Sequence, residues 1–289
     1  MSEKVSTREL GLILGARLMK TDDLHYGLWT EGLEVKLANL PQAQANYSDY
    51  LMARIPPGVS TVLDVGCGTG HVAQLLTERG YEVTCISPSP VLTRMARERL
   101  GDAVPVHQTT YEAFESAQRF DLVLFSESFQ YIAPRDSLPK SLRLLADNGH
   151  VLIADFFRTE ASGASALQGG HSLAEFTSYL ETLPLEVVFD QDITGQTAPN
   201  LQLMDELLQD YARPIWEAFG YYLRNNRPWI ARVGRWLFRK RLEKIEFKYF
   251  SRERSAGGFA KHKSYRCYLL RKKPSSETAE SANPSSREG

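Results

Sequence analysis

Residues 62–70, VLDVGCGTG, are the most informative stretch of this chain. The apolar run at their start predicts a buried strand, and glycines on alternate positions predict a tight turn whose backbone passes close to a ligand. The spacing is G-x-G-x-G, whereas dinucleotide-binding loops have G-x-G-x-x-G. Asp64 stands two residues before the first glycine, where its charge repels a phosphate but suits an ammonium group. The loop therefore favours a cofactor that contains an amino acid over a dinucleotide.

Beyond this stretch, β-rich segments alternate with amphipathic segments. In chain order they read TVLDVG, HVAQLLTERG, YEVTCIS, PVLTRMARERL, FDLVLFS, SLPKSLRLLADNG and HVLIADFF. Strands that alternate with helices of this length predict βαβ units and a largely parallel sheet. Further along, LEVVFDQDIT predicts another strand, residues 198–250 a helical insertion, and SYRCYLLRK, which alternates apolar and polar residues, a final edge strand.

The composition is that of an ordinary soluble protein, with 43% hydrophobic and 24% charged residues in a chain of 289. The charged start, MSEKVSTREL, and the lack of a long apolar run predict a cytoplasmic protein without a membrane span. The three cysteines, Cys67, Cys85 and Cys267, have no paired spacing, so neither a disulfide framework nor a metal site is expected.

The charge is unevenly distributed along the chain. Residues 213–266 contain fifteen Lys or Arg and four Asp or Glu, a balance of +11 in a chain whose net charge is −1. Aromatic residues are interleaved with these basic residues. Two interpretations stay open: helices with solvated basic faces and aromatic cores, or a surface for anionic lipid headgroups or an acidic substrate, which includes a peripheral membrane contact.

The loop VLDVGCGTG, with its preceding strand and following helix, resembles the first motif of the class I S-adenosylmethionine-dependent methyltransferases. The resemblance in the order of strands and helices covers roughly residues 60–195 and the last strand. It implies an α/β, Rossmann-like fold with a seven-stranded, mostly parallel sheet, an N-terminal helical lid and a helical insertion before the last strand.

Helical spacing, composition and this resemblance together divide the chain into five parts. Residues 1–57 are expected to form the lid, 58–197 the core that binds S-adenosylmethionine, and 198–258 the basic and aromatic insertion on the substrate side. Residues 259–273 should supply the final strand of the core. The tail, 274–289, has almost no apolar residue and is expected to be disordered.

The cofactor-binding residues are carried over from the family position by position. Asp64 is expected to pair with the methionine ammonium, and Ser87 stands where the family usually has an acidic residue for the ribose. A serine there is similar to the cyclopropane-synthase and tocopherol-methyltransferase branches. The remaining expected contacts are Gly66, Cys67, Gly68 and Gly70 of the loop, Pro88 beside the ribose, Thr109, Thr110 and Tyr111 near the adenine, Ser126 after the fourth strand, and Tyr26 and Trp29 of a lid segment that resembles HYG-x-W.

Four residues are candidates for the chemistry. Glu127 matches the first acidic residue of the ES-x-EH pattern of related methyltransferases, whereas Gln130 and Tyr131 replace its Glu-His pair. Tyr131 remains a candidate, with packing beneath the loop as the alternative. His25 and His171 are candidate bases because an imidazole titrates near neutral pH, and an ordinary helix-end histidine is the alternative for His25.

These features together predict methyl transfer from S-adenosylmethionine to a small, apolar or amphipathic acceptor such as a polyketide, an isoprenoid or a lipid-like metabolite. The basic stretch keeps RNA methylation open, whereas the absence of an Asn/Asp-Pro-Pro-aromatic motif counts against DNA. A third hypothesis is a catalytically degenerate protein of this fold that binds a membrane or a partner. The sequence does not fix the oligomeric state.

Overall fold

A computed structural model of the chain describes residues 21–273 apart from residues 22, 163–166 and 252–254. Residues 1–20 of the expected lid and the tail 274–289 lie outside the described residues. Within the described part, no helix is both long enough and apolar enough to cross a membrane.

The centre of the molecule is a seven-stranded sheet with the strand order β3-β2-β1-β4-β5-β7-β6. Its first five strands are parallel, and β7 runs antiparallel to both of its neighbours. This confirms the predicted mostly parallel, Rossmann-like sheet. The strands are β1 (Thr61–Val65), β2 (Glu82–Ser87), β3 (Val106–Gln108), β4 (Phe120–Ser126), β5 (Leu145–Arg158), β6 (Leu185–Asp192) and β7 (Lys263–Lys272).

Helices connect the strands and cover the sheet. Pro90 and Ser89 illustrate the local signals: Ser89 accepts a hydrogen bond from the Leu92 amide and so caps the helix that Pro90 begins. The helices of the core and the insertion are α1 (Leu40–Met52), α2 (His71–Glu78), α3 (Pro90–Leu100), α4 (Pro134–Leu144), α5 (Leu173–Leu180), α6 (Thr194–Thr197), α7 (Pro199–Leu207), α8 (Arg213–Asn226), α9 (Pro228–Phe250) and α10 (Ala256–His262).

The core has two layers, one on each face of the sheet. Along β4, Leu122 and Leu124 belong to one buried cluster, whereas Val123 and Phe125 belong to the other. A strand buried on both faces reads as a continuous apolar run, which is why FDLVLFS lacks polar alternation.

The prediction that SYRCYLLRK forms an edge strand was wrong. β7 lies between β5 and β6 and pairs with both, from Lys263 opposite Arg158 to Lys272 opposite Leu185. The alternation of apolar and polar residues does not mark an exposed face of this strand, because Tyr265, Cys267 and Tyr268 are all buried. β6, which closes the sheet beside it, is largely exposed.

The insertion between β6 and β7 extends away from the sheet. α7 packs Leu201 and Leu203 into the core, a π-helical turn follows at Leu208–Ala212, and α8 and α9 then form a hairpin. None of the described residues of α8 is buried. The hairpin therefore adds a surface to the molecule rather than volume to its core.

Candidate active site

The glycine-rich turn joins β1 to α2 in a left-handed backbone conformation. Gly66, Gly68 and Gly70 have φ angles of +80°, +57° and +81°, which favour glycine. At Gly66 a side chain is also excluded by packing, because an added Cβ would lie 2.6 Å from Cβ of Ser128. The Gly66 and Cys67 amides donate hydrogen bonds of 2.8 and 3.2 Å to the carbonyl of Ile86, so the turn is fixed to the end of β2.

Asp64 is a buried acid in β1, two residues before this turn. Its side chain is buried, and its Oδ2 atom has no hydrogen-bond partner among the described residues. Burial raises the pKa of this carboxyl to about 7. A buried carboxylate without a partner is costly for the fold, so it is a signature of a site built for a ligand. A cationic group fits it, and the ammonium of S-adenosylmethionine is such a group.

In open parallel sheets, ligands bind at the carboxyl ends of the strands. The carboxyl ends of β2 and β3 lie beside that of β1 and form the next part of this edge. Ser87 is buried and Pro88 is exposed, and the Thr109 amide donates to the Ser87 carbonyl at 3.1 Å. Tyr111 differs from its neighbours because its ring packs on Phe125 and its hydroxyl bonds Ser141 of α4 at 2.8 Å. Tyr111 thus belongs to the core, whereas Thr110 is exposed.

Glu127 joins three separate parts of the chain. It follows β4 with a φ angle of +54°, which is uncommon for a residue with a side chain. Its Oε1 atom accepts hydrogen bonds from the Tyr26 amide at 2.7 Å and from the Tyr265 hydroxyl at 2.9 Å. Burial raises the pKa of Glu127, against the lowering effect of His25 and of these two donors. Its carboxylate is therefore more basic than an exposed one.

Two buried tyrosines, neither of them predicted from the sequence, extend this network. The Tyr265 hydroxyl lies 3.0 Å from that of Tyr47, which lies 3.1 Å from Oγ of Ser126. Burial and the charge of Glu127 raise the pKa of both phenols well above the usual value, so both stay neutral. Their positions in β7 and α1 are remote in sequence from the glycine-rich loop, and no motif marks them.

His25 is held by a carboxylate and a ring. Its Nε2 atom is 3.4 Å from Oδ1 of Asp23, its Nδ1 is 2.9 Å from the Tyr26 carbonyl, and its ring stacks on Tyr47 at 4.6 Å. Burial lowers the pKa of His25, but Asp23 and Glu127 raise it more, so the net shift is upward. His25 therefore keeps its proton to a higher pH than an ordinary histidine, which suits a cationic partner better than a base.

Asp23 also bonds Nδ1 of His71, the first residue of α2. Burial raises the pKa of Asp23, but the two histidines lower it far more. The ligand-type atoms of Asp23, His25 and His71 lie within 4.8 Å of one another, a donor set that first-row transition metals accept. No metal site is predicted from the sequence. Hydrogen bonding already accounts for the positions of these side chains, since Asp23 serves both rings.

The other catalytic candidates have different surroundings. His171 lies outside this cluster: its Nε2 is 3.0 Å from the Phe129 carbonyl and its ring packs edge-on against Phe129. Tyr131 is half-exposed beside the loop. Gln130 is tied to Asp155 through both its amide and its side chain, at 2.9 and 3.1 Å, so it positions the loop after β4.

The two expected lid residues, Tyr26 and Trp29, lie in different parts of the structure. Tyr26 packs edge-on against Phe259 and lies near Tyr265, next to the Glu127 network. Trp29 is buried farther along, with Leu40 and Leu203, and its amide donates to the Gln196 carbonyl at 2.9 Å. The structure thus brings Tyr26, His25, Ser126 and Glu127 together, while Trp29 anchors the segment to the insertion.

Comparison with known proteins agrees with this geometry. The methyltransferase domain family matches residues 40–194, more than half of the chain. The chain is 30% identical over 126 residues to malonyl-[acyl-carrier protein] O-methyltransferase of Anoxybacillus flavithermus, which is 42% of this chain and 47% of that protein. It is 31% identical over 132 residues to ubiquinone biosynthesis O-methyltransferase of Xanthomonas axonopodis pv. citri, which is 44% of this chain and 55% of that protein.

The chain thus spans about half the length of these two relatives. Among solved structures, one similar in fold is a putative sarcosine dimethylglycine methyltransferase from Galdieria sulphuraria. The TM-score is 0.66 at 17% identity, and the match covers 90% of this chain and 97% of that one. The loop, the sheet order and the family match agree, and the chain belongs to the methyltransferase domain family, with the class I fold that uses S-adenosylmethionine.

Proposed function

We propose that the protein transfers a methyl group from S-adenosylmethionine to a small, apolar or amphipathic acceptor. The observation that carries this proposal is Asp64, whose buried Oδ2 atom has no hydrogen-bond partner in the described part of the chain and which lies near the end of β1, just before the glycine-rich turn. A ligand with an ammonium group offsets the cost of burying that charge.

The residues proposed to hold the cofactor follow from their positions. Asp64 pairs with the ammonium, the turn from Gly66 to Gly70 lies against the methionine part, and Ser87 faces the ribose. Thr109 and Thr110 are proposed for the adenine side, and Tyr26 for the lid. S-Adenosylmethionine supplies an electrophilic methyl group, and the protein's main task is to align the acceptor with it.

Glu127 is the group we propose to receive a proton where the acceptor must lose one. Its raised pKa makes it a stronger base than an exposed carboxylate, and Tyr265 and the Tyr26 amide fix its orientation. Asp23 and Glu127 raise the pKa of His25 despite its burial, so we assign it electrostatic support of Glu127 rather than proton abstraction. His171 and Tyr131 receive no chemical role in this proposal.

The class of acceptor is inferred from the insertion and from the relatives. Exposed aromatic and aliphatic side chains on α8 and α9 suit an acceptor with apolar character. The two curated relatives are named for malonyl-[acyl-carrier protein] and for ubiquinone biosynthesis. Neither name refers to a nucleic acid, and both support a small acceptor group, carried on a protein in the first case.

The test is a methyl-transfer assay with labelled S-adenosylmethionine and a panel of acceptors. The panel contains long-chain phenols, isoprenoid phenols, fatty acyl thioesters, polar amines and total RNA. Methylation of the lipophilic members is expected, with a large loss in Glu127→Ala. Methylation of only the polar amines or of RNA contradicts the proposed acceptor class.

RNA methylation is the second candidate, because exposed Arg235, Arg239, Lys240 and Arg241 lie on α9. It predicts that replacing these four by glutamine abolishes activity on RNA and that activity falls steeply with salt. A small soluble acceptor predicts little change in either measurement.

A further inference from the structure

The α9 helix carries an apolar stripe that faces solvent. Positions 229, 233, 236 and 247 fall on one side of a helix with 3.6 residues per turn. They are occupied by Trp229, Val233, Trp236 and Phe247, with exposed fractions between 45% and 79%. Leu237, beside them, is also exposed. A stripe of large apolar side chains on this scale marks an interaction surface.

A different side of α9 packs against α8. Leu242 and Ile245 are half-buried and line the groove between the two helices together with Leu223. The rings of Trp216 and Phe250 meet there at 6.4 Å between centroids. The hairpin is thus held together by this inner side, and the outer stripe is not needed for its packing.

The α8 helix has a matching exposed stripe of its own. Ile215, Phe219 and Tyr222 follow the i, i+4, i+7 spacing that places them on one side of the helix. All three are more than half exposed. Both helices of the hairpin therefore present apolar side chains outward.

Basic residues flank the stripe of α9. Its sequence contains seven Lys or Arg and two Asp or Glu. By helical spacing, Arg232 and Arg239 lie on one side of the stripe and Arg241 on the other, while Lys240 and Lys244 fall within its line. Long lysine side chains can lie along an apolar surface and carry their charge to headgroup level.

We infer that this hairpin surface, made of the outer stripes of α8 and α9 and the flanking basic residues, docks the protein on an anionic lipid membrane. Exposed Trp and Phe side chains enter the interfacial layer, and Lys and Arg contact the anionic headgroups. The helices lie on the membrane and do not cross it. The inference does not rest on the proposed methyl transfer.

A membrane fits this surface better than a second copy or RNA does. A symmetric contact between two copies brings the basic residues of both chains into one interface, which is repulsive. RNA-binding surfaces stack bases on aromatic rings, whereas Val233, Leu237 and Ile215 are aliphatic and cannot stack. An anionic bilayer satisfies both the charge and the aliphatic side chains.

The experiment is vesicle co-sedimentation of the full chain. Vesicles of phosphatidylcholine alone are compared with vesicles containing about one third phosphatidylglycerol, an anionic content at which basic segments bind. Pelleting with the anionic vesicles is expected, with a blue shift of tryptophan fluorescence. It should weaken with added salt because screening reduces the attraction to headgroups.

Variants separate the stripe from unspecific charge attraction. Val233→Asp should reduce the partition coefficient by about tenfold or more, because it places a charge in the buried part of the interface. Val188→Asp is the matched control, since Val188 on β6 is exposed to nearly the same degree, 49% against 47%, and lies outside the hairpin. The double variant Trp229→Ala, Trp236→Ala should lose the fluorescence shift.

Three outcomes overturn the inference. They are no pelleting with anionic vesicles by folded protein, equal pelleting with neutral vesicles, and equal loss in Val233→Asp and Val188→Asp. A dimer in solution that Val233→Asp dissociates, without vesicle binding, identifies a self-association surface instead. Titration of the same preparations with S-adenosylhomocysteine tells this failure apart from a failure of the proposed function, because the hairpin variants keep Asp64 and the glycine-rich turn.

Discussion

At the scale of single residues, Asp64 links the fold to its ligand. The residue lies in the middle of a parallel sheet, where an apolar side chain is the stable choice. Its pKa of about 7 measures the cost of that placement. Two predictions follow from the same carboxyl, one for the free protein and one for the complex.

In the free protein, Asp64→Asn should raise the free energy of unfolding. A carboxyl whose folded pKa is raised contributes its full stability below its unfolded pKa of about 4, and this stability is lost as the pH rises through the folded pKa of about 7. Above pH 7 the amide avoids this loss, with a gain on the order of 1–4 kcal/mol. Thermal and urea unfolding at two pH values measure it, and a destabilised variant at pH 8 contradicts it.

In the complex, ligand binding should release a proton. At a pH of about 6, Asp64 of the free protein holds a proton, and pairing with the ligand ammonium lowers its pKa so that the proton leaves. Calorimetric titration with S-adenosylhomocysteine in two buffers of different ionisation enthalpy reports this proton. Identical heats in the two buffers would show that Asp64 does not pair with the ligand.

At the scale of elements, the segment before α1 is bonded to several other parts of the protein, including α7 and the end of β4. The side chain of Asn200 in α7 accepts from the Gly27 amide at 2.9 Å and donates to the Gly27 carbonyl at 2.7 Å. Glu127 holds the neighbouring Tyr26 amide. These contacts join the lid segment, the end of β4 and the insertion into one unit.

Asn200→Ala should loosen this segment without unfolding the sheet. Removing both bonds to Gly27 costs about 1–3 kcal/mol locally, so amide hydrogen exchange of residues 23–29 should accelerate while β1 and β4 stay protected. Asn226→Ala is the control, because Asn226 also bonds a backbone carbonyl but lies at the exposed end of α8. Unchanged exchange in residues 23–29 would exclude Asn200 as the anchor.

Periodicity and turn residues in the sequence correctly predicted those strands, helices and turns that depend on neighbouring residues alone. The loop VLDVGCGTG, the parallel strands and the amphipathic helices all follow from periodicity and turn residues. The inner position of β7 did not, because pairing partners are set by topology and SYRCYLLRK reads the same at an edge or in the interior. Tyr47 and Tyr265 were missed for a related reason, since their hydroxyls meet only when α1 and β7 pack together.

At the scale of the whole molecule, the outer surface of the hairpin should contribute little to the free energy of unfolding, which comes from the core around the sheet. The core is buried against the sheet, whereas the outer stripes of α8 and α9 are exposed. The double variant Trp229→Ala, Trp236→Ala should therefore change the free energy of unfolding by less than about 0.5 kcal/mol. Urea unfolding measures this, and a loss of several kcal/mol would show that the stripe packs within the protein.

The most direct measurement is calorimetric titration of the purified protein with S-adenosylhomocysteine, compared between wild type, Asp64→Asn and Asp147→Asn. Asp147 is an exposed carboxylate far from the glycine-rich turn in the chain, so its variant controls for the loss of one charge. Micromolar binding by the wild type and Asp147→Asn, with at least about a tenfold loss in Asp64→Asn, is expected because the ammonium loses its charged partner. Equal binding by all three proteins, or no binding by the folded wild type, would contradict the assignment of Asp64 and its loop as the cofactor site.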